Sequence, residues 1–195
     1  MNIIVFFDKS YHKILDFFAT LWMKLEYRIL KVEYGSHLQF CGLTKISIEK
    51  NTTITIGDNC DFRSRSTSNL IGINRPCILS TILPGSKIKI GNNCGFSGTV
   101  IGCFSSITIG NNVKCGANTL ITDSDWHQDD PRSGKAQPVV IEDNVWLGEG
   151  CKVLKGVTIG KNSVIGAGAV VAKSIPANVV AAGNPCKIIK TIDYK

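Results

Sequence analysis

The chain has 195 residues, 44% of them hydrophobic, and a formal net charge of +7. That is enough for one well-buried domain, or a solenoid with an added element, and no second domain is required. The eight cysteines contain no CxxC pair, which argues against a zinc site, and no Lys/Arg cluster is interleaved with aromatics as in nucleic-acid binders; a basic surface of this size suits an anionic cofactor or glycan.

Residues 1–34 hold most of the aromatics and read as a helix. Ile14, Phe18, Leu21, Leu25, Ile29 and Val32 recur at three and four, giving one apolar stripe. Asp8, Lys9, Lys13, Asp16, Lys24, Glu26 and Arg28 interrupt any run long enough to span a bilayer, and NIIVFF lacks the basic leader and cleavage site of a signal peptide. Three roles are open to this amphipathic segment: a cap on the first coil of the repeat region, a contact with a neighbouring subunit, or peripheral membrane contact. The last is suggested by Phe6, Phe7, Phe17, Phe18 and Trp22 beside several Lys and Arg. Gly35 is the expected stop. We divide the chain into a helical segment, 1–35, a repeat domain, 36–190, and a tail, 191–195.

Strands start at Leu38. Ile46, Ile48, Ile54 and Ile56 alternate with polar residues, and coil marks recur as IGDNC at 56–60, IGNNC at 90–94 and IGNNV at 109–113. The first interval, 34 residues, is close to two coils of 18, so a less regular coil lies between, with Ile71, Cys77, Ile78 and Ile82 as its expected core and Pro76, Pro84 and Gly85 at corners. Arg63 and Arg65 are expected on an exposed turn. From Cys103 the sixes return as CFSSIT, IGNNVK, CGANTL and ITDSDW. They break at His127: the segment 127–138, HQDDPRSGKAQP, has no apolar lead residue and must leave the repeat as a loop. IEDNV at 141–145 stands 32 residues after IGNNV, 14 more than one coil of 18.

From Ile141 to Pro176 the register never slips: IEDNVW, LGEGCK, VLKGVT, IGKNSV, IGAGAV, VAKSIP. The first position is always aliphatic, and the fifth (Val145, Cys151, Val157, Ser163, Ala169, Ile175) is small or apolar. A period of six with glycine after the lead residue means short strands and tight turns stacked coil on coil, a parallel β-helix. Gly148, Gly160 and Gly166 mark turns with no room for a Cβ or with positive φ. Cys94 and Cys151 at fifth positions and Cys115 at a first read as small buried hydrophobes. Cys41, Cys60, Cys77 and Cys94, spaced 19, 17 and 17, are able to stack in a column.

These hexads, followed by IGAGAVVAKSIPANVVAAGNPCKIIK, resemble the hexapeptide-repeat acyltransferases that fold as left-handed parallel β-helices, and most of all the branch of maltose, galactoside and polysaccharide O-acetyltransferases. The resemblance covers roughly Ile46 to Lys190. It supplies the handedness, which the period does not set. It implies an acetyl-coenzyme A-dependent enzyme, usually a homotrimer, in which an aspartate-rich turn ending in histidine opens the active-site loop. TDSDWHQDDPR matches that turn, so His127, the one histidine between Ile46 and Lys190, is implied as general base. An imidazole is suited to accept the proton of a sugar hydroxyl as it attacks a thioester. Asp125 and Asp123 are the candidates to orient it, with Asp125 preferred; both also suit shaping the turn.

In similar enzymes coenzyme A lies along the last coils between subunits. Carried over by position, its residues here are Glu149, Ala167, Ala172, Lys173, Lys187 and Lys190. The alanines admit the pantetheine arm and the lysines supply charge for phosphate. Lys187 and Lys190 stand where relatives often carry arginine, and Glu149 where a small hydroxyl residue occurs. Trp146, Trp126 and Ser97 are the implied acceptor contacts. No metal is expected, and the cysteines in core positions argue against a covalent acyl-enzyme.

The resulting expectation is a cytoplasmic O-acetyltransferase for a sugar hydroxyl in surface polysaccharide assembly. The alternatives are an acyltransferase for serine, a nucleotide-sugar amine or a xenobiotic, and a scaffold without chemistry. A γ-type carbonic anhydrase on the same fold needs three histidines around zinc, and the stretch from Ile46 to Lys190 has one.

Overall fold

The computed structural model describes residues 3–193, and of residues 3–9 only the backbone. Phe6 and Phe7 of the expected aromatic face lie outside the described side chains.

The helix runs Ile3–Ile29. It stops before Gly35: Lys31 takes a left-handed φ of 57°, and the amide of Val32 donates to the Tyr27 carbonyl at 2.9 Å. Gly35 is instead a turn residue inside the repeat, where a Cβ would meet the Asp58 carboxylate. Glu33–Tyr34 already pairs with Thr53–Ile56 as the first strand of the solenoid.

The strands stack into three sheets that form the faces of a prism. The first face holds Glu33–Tyr34, Thr53–Ile56, Lys87–Ile90, Ser106–Ile109, Val139–Ile141 and Thr158–Ile159. The second runs from Gln39–Cys41 through Asp61–Arg63, Gly95–Ser97, Lys114–Cys115, Trp146–Leu147 and Val164–Ile165 to Val179–Ala182 and Lys187–Thr191. The third holds Lys45–Ile48, Ile78–Thr81, Val100–Cys103, Leu120–Thr122, Lys152–Val153 and Val170–Val171. All pairings are parallel except that of the last strand, which turns back on Val179–Ala182. Lead residues of the hexads point inward: Ile141, Leu147, Val153, Ile159, Ile165 and Val171 are fully buried. Along the second face the inward column begins with Tyr27 edge-on to Phe40 at 5.4 Å, continues as the stacked rings of Phe40, Phe62 and Phe96 with centroids 5.1 and 5.0 Å apart, and runs on in register as Cys115, Leu147, Ile165 and Ala181.

The corner between the first and second faces is knitted by two ladders. Asn59, Asn93, Asn112, Asn144, Asn162 and Asn178 all adopt φ of 56–61°, and each donates its amide to the next at 2.8–3.1 Å. Asparagine tolerates this left-handed conformation better than most residues. Beside them the backbone amides of Ser36, Asp58, Asn92 and Asn111 donate to the side-chain oxygens of Asp58, Asn92, Asn111 and Asp143 one coil further on. Gly148 and Gly160 are needed for close approach rather than positive φ, since a Cβ would sit 2.5 and 2.3 Å from the amide nitrogens of Ala167 and Ala177 in the next coil.

The structure corrects several sequence expectations. In the irregular coil Cys77 is buried, but Ile71 is 66% exposed and Leu79 fills the interior. Arg65 is not on a free turn, because its Nη2 donates to both carboxylate oxygens of Asp16 of the helix, at 2.9 and 3.1 Å. The helix does cap the first coil, but through Met23 and Tyr27; Ile14, Phe18, Leu21, Leu25 and Ile29 face outward. The eight cysteines are free thiols, and the expected column does not form: Cys60 and Cys94 share a row of the second face, whereas Cys41 pairs with Arg63 and Cys77 leads into a strand of the third face.

The ladder is open to measurement. Asn112→Gly keeps the left-handed turn and loses both amide bonds; Asn112→Ala loses the bonds and strains the turn. Both variants are expected to unfold at lower urea concentration, and the alanine should cost about 1–2 kcal/mol more than the glycine.

Candidate active site

The His127 loop leaves the third face after Thr122 and returns at Val139, so the excursion covers 123–138 and starts four residues before His127. In the hexad ITDSDW Asp125 holds the fifth place, which is small or apolar in the regular hexads, and Asp123 the third, yet it is Asp123 that lies inside. Asp123 is fully buried, and its carboxylate accepts the backbone amides of Phe104 at 2.7 Å, Ser105 at 2.7 Å and Ser106 at 2.8 Å. Both oxygens are engaged on the coil below, so the frame breaks at Asp123, where the side chain caps a neighbouring turn instead of packing among apolar ones.

Asp125 is exposed. Its Oδ2 accepts the amide of Gly134 at 3.0 Å and the ammonium of Lys155, which closes the base of the loop onto the next coil. The Lys155 ammonium and then the Gly134 amide hold the Asp125 carboxyl below the usual carboxylate range. The Asp123 carbonyl accepts the Gln137 amide at 2.8 Å, and the Gln137 carbonyl accepts that of Gly156 at 3.1 Å. Trp126, at φ 71°, lays its indole on Gly102, where a Cβ would come 2.3 Å from the ring; it meets Phe104 edge-on and donates Nε1–H to Thr122 at 3.0 Å. His127 follows on the exposed side. Its backbone donates to the Asp125 carbonyl at 2.9 Å, while its ring makes no hydrogen bond among the described residues. Neither aspartate touches the imidazole.

The other predicted residues fall into two groups. Ala172 and Lys173 share the loop's corner: the pairing Ile121 to Val153 to Val171 puts them two coils from Thr122 and Asp123, about 10 Å along the axis. Trp146, Glu149 and Ala167 line a cleft of about 420 Å³ at a different corner, between the second and third faces. Trp146 is 54% exposed and lies in one row with Val164, Val180 and Lys190, so Lys190 extends the same face; Lys187 is exposed on that terminal strand.

Sequence reasoning missed the far wall of this cleft. It comes from the second excursion, 64–77, which contributes Asn69 and Ile71. Asn118 clasps that loop, accepting the amide of Asn74 at 3.0 Å and donating to the Gly72 carbonyl at 3.1 Å, and Arg75 donates to the Asn118 carbonyl at 2.6 Å. Ser97 is buried and accepts from Asn69 at 3.1 Å, so it anchors the loop rather than lining the cleft. The 34-residue interval between coil marks was the one signal for this element.

Burial pushes the thiols of Cys77, Cys103 and Cys151 up to about 11, 12 and 12, with the Asp123 charge adding to the effect on Cys103. A thiol held protonated inside the solenoid is a poor nucleophile. Among the described residues no group of three or more His, Cys, Asp or Glu side chains is placed to hold a metal ion.

Residues 138–173 match the model of the bacterial transferase hexapeptide, six repeats. The hexads within residues 138–173 are those of that repeat. The hexapeptide-repeat chain is 43% identical over 115 residues to galactoside O-acetyltransferase of Escherichia coli (strain K12), covering 56% of each protein. It is 51% identical over 94 residues to galactoside O-acetyltransferase of Lactococcus lactis, covering 46% of this chain and 45% of that one. It thus spans about half the length of the curated relatives it matches. Among solved structures, AntD, an N-acyltransferase of Bacillus cereus in complex with dTDP-4-amino-4,6-dideoxyglucose and coenzyme A, superposes with a TM-score of 0.63 at 17% identity over 88% of this chain and 90% of that one. A hexapeptide-repeat acetyltransferase of Vibrio cholerae complexed with acetyl coenzyme A gives 0.54 at 22% identity over 88% and 79%. These likenesses establish the fold of the hexapeptide-repeat chain as a left-handed parallel β-helix with an added amino-terminal helix.

The clasp at the loop's base has a definite pH behaviour. Because the folded carboxyl of Asp125 sits below its ordinary value, the clasp is complete at neutral pH and is lost only as pH falls below the ordinary carboxylate range. Lys155→Gln removes the principal cause, so an NMR titration of the Asp125 carboxyl carbon should show its midpoint move upward towards that of an ordinary aspartate. An unmoved midpoint would mean that Lys155 does not hold the loop in solution.

Proposed function

We propose that this chain transfers the acetyl group of acetyl-coenzyme A to a hydroxyl of a sugar, with His127 as general base. The observation that carries the reading is the free imidazole of His127 on a loop otherwise tied to the solenoid at Asp123, Asp125 and Gln137. The loop is fastened at its base, and the ring itself is left to meet a substrate.

In the reaction, the acceptor hydroxyl loses its proton to a ring nitrogen as its oxygen attacks the thioester carbonyl carbon. The tetrahedral adduct collapses, the carbon–sulfur bond breaks, and the imidazolium returns its proton to the departing thiolate. We assign the stabilisation of that imidazolium to Asp125. Its Oδ1 has no partner among the described residues, whereas both oxygens of Asp123 are committed to the backbone. Buried, protonated thiols favour direct transfer in a ternary complex over an acyl-enzyme.

Coenzyme A is assigned to the exposed residues of the last coils, with Ala167 and Ala172 admitting the pantetheine arm and Lys173, Lys187 and Lys190 meeting phosphate. Within one chain these residues lie on two corners, so we place the complete site between subunits of a homotrimer, the Trp146 cleft of one copy beside the His127 loop of the next. Galactoside O-acetyltransferases among the relatives support a sugar hydroxyl, and surface polysaccharide assembly in the cytoplasm, where the thioester is made, is the setting we assign. The second reading is an amine acceptor on a nucleotide sugar, favoured by the fold's likeness to AntD.

The test is thiol release from acetyl-coenzyme A over a panel of sugars, glycan fragments and nucleotide amino sugars, with His127→Ala beside the natural chain. A sugar should stimulate release, and the substitution should lower the rate at least about 100-fold, the size of a general-base contribution. Full activity in the variant would remove His127 from the mechanism, and stimulation by amino sugars alone would favour the second reading.

A further inference from the structure

The amino-terminal helix has two opposite faces. Asp16, Thr20, Met23 and Tyr27 form a seam against the solenoid: Met23 and Tyr27 are fully buried, Asp16 binds Arg65, and the Thr20 hydroxyl accepts the Phe40 amide at 3.0 Å. At about 100° per residue, Ile14, Phe18, Leu21, Trp22, Leu25 and Ile29 gather in an arc of about 100° centred opposite that seam. All six are 51–70% exposed. Leu43, from the first coil, extends the apolar surface at 58% exposure, and it borders the same groove as Leu21 and Leu25. A contiguous apolar surface of this kind has an occupant.

The geometry points to an anionic lipid surface as that occupant, with the helix lying in the plane of the bilayer interface. Three observations select it. No acidic side chain lies in the arc; Lys13, Lys24 and Arg28 line one flank between the arc and the seam and Glu26 stands on the other, so the basic flank would meet lipid phosphate as the apolar side chains enter the acyl boundary. Antiparallel pairing with a second identical helix would bring the two basic flanks together with no acid between them, whereas anionic lipid neutralises them. Finally, no helix among the described residues is long and apolar enough to cross a membrane, so the helix lies on the surface rather than spanning it.

The experiment is flotation of the full chain with vesicles of phosphatidylcholine, alone or with about 30% phosphatidylglycerol, together with light scattering in the absence of lipid. The natural chain should float with the anionic vesicles and much less with the neutral ones, and high salt should weaken binding. The double variant Phe18→Glu, Leu25→Glu should lower vesicle binding at least about tenfold with unchanged mass and thermal midpoint, since both positions are exposed. Absence of binding to anionic vesicles, equal binding by the variant, or a natural assembly that falls to a smaller mass in the variant would each overturn the assignment, the last in favour of a second copy on this face. Thiol release by the double variant reports the catalytic reading separately.

Discussion

The constraint on which this molecule depends is that every coil must hand its hydrogen bonds to the next. A solenoid has no distant partner to compensate a coil that fails, because each repeat touches only its neighbours. The two asparagine and aspartate ladders at one corner meet this requirement by pairing turn groups that would otherwise stay unpaired, coil after coil, while the inward aliphatic and aromatic columns bury the apolar surface. Amides donate from one coil and carboxamide oxygens accept on the next, so the repeat unit specifies its own stacking distance.

With one corner devoted to stacking, the other two are free to diverge. The excursion 64–77 leaves between the second and third faces and walls the Trp146 cleft; the excursion 123–138 leaves between the third and first faces and carries His127. Both are held at their base by groups that in a plain hexad would be turn residues: Asn118 for one, Asp123 and the pair Asp125–Lys155 for the other. Asp123 shows how the competition is decided. A buried carboxylate is costly unless fully satisfied, and three backbone amides from the preceding coil satisfy it, which removes it from the chemistry beside it.

The helix belongs to the same logic at the open end of the prism. The first coil has no earlier coil to cover Phe40, and Tyr27 takes that position, meeting Phe40 edge-on at 5.4 Å as the start of the aromatic column. The Asp16–Arg65 pair and the Thr20 hydroxyl fix which side of the helix turns inward, and they choose a side other than the most apolar one.

Much of this was legible in the residues. The period of six, the inward lead positions, the ejection of a loop around His127 and the outward position of Trp146 come from pattern alone, because a β-helix coil meets the same environment at every repeat. The asparagines at the fourth place of each coil mark were in plain view, yet their meaning required knowing that successive turns stack side chain on side chain. The hexad frame misplaced Asp123 and Asp125 because a loop departure cancels the alternation that the frame assumes. The apolar stripe of the helix was correctly read as a stripe, but which face meets the solenoid depends on polar partners, Arg65 and the Phe40 amide, that lie 49 and 20 residues away in sequence. Sequence by itself determined the repeat, the inward side of each strand and the ejection of the loop that carries His127. Only the tertiary structure decided which carboxylate is spent on backbone, which excursion walls the cleft and which side of the helix is left open, because each of these is settled by hydrogen-bond donors brought in from another coil.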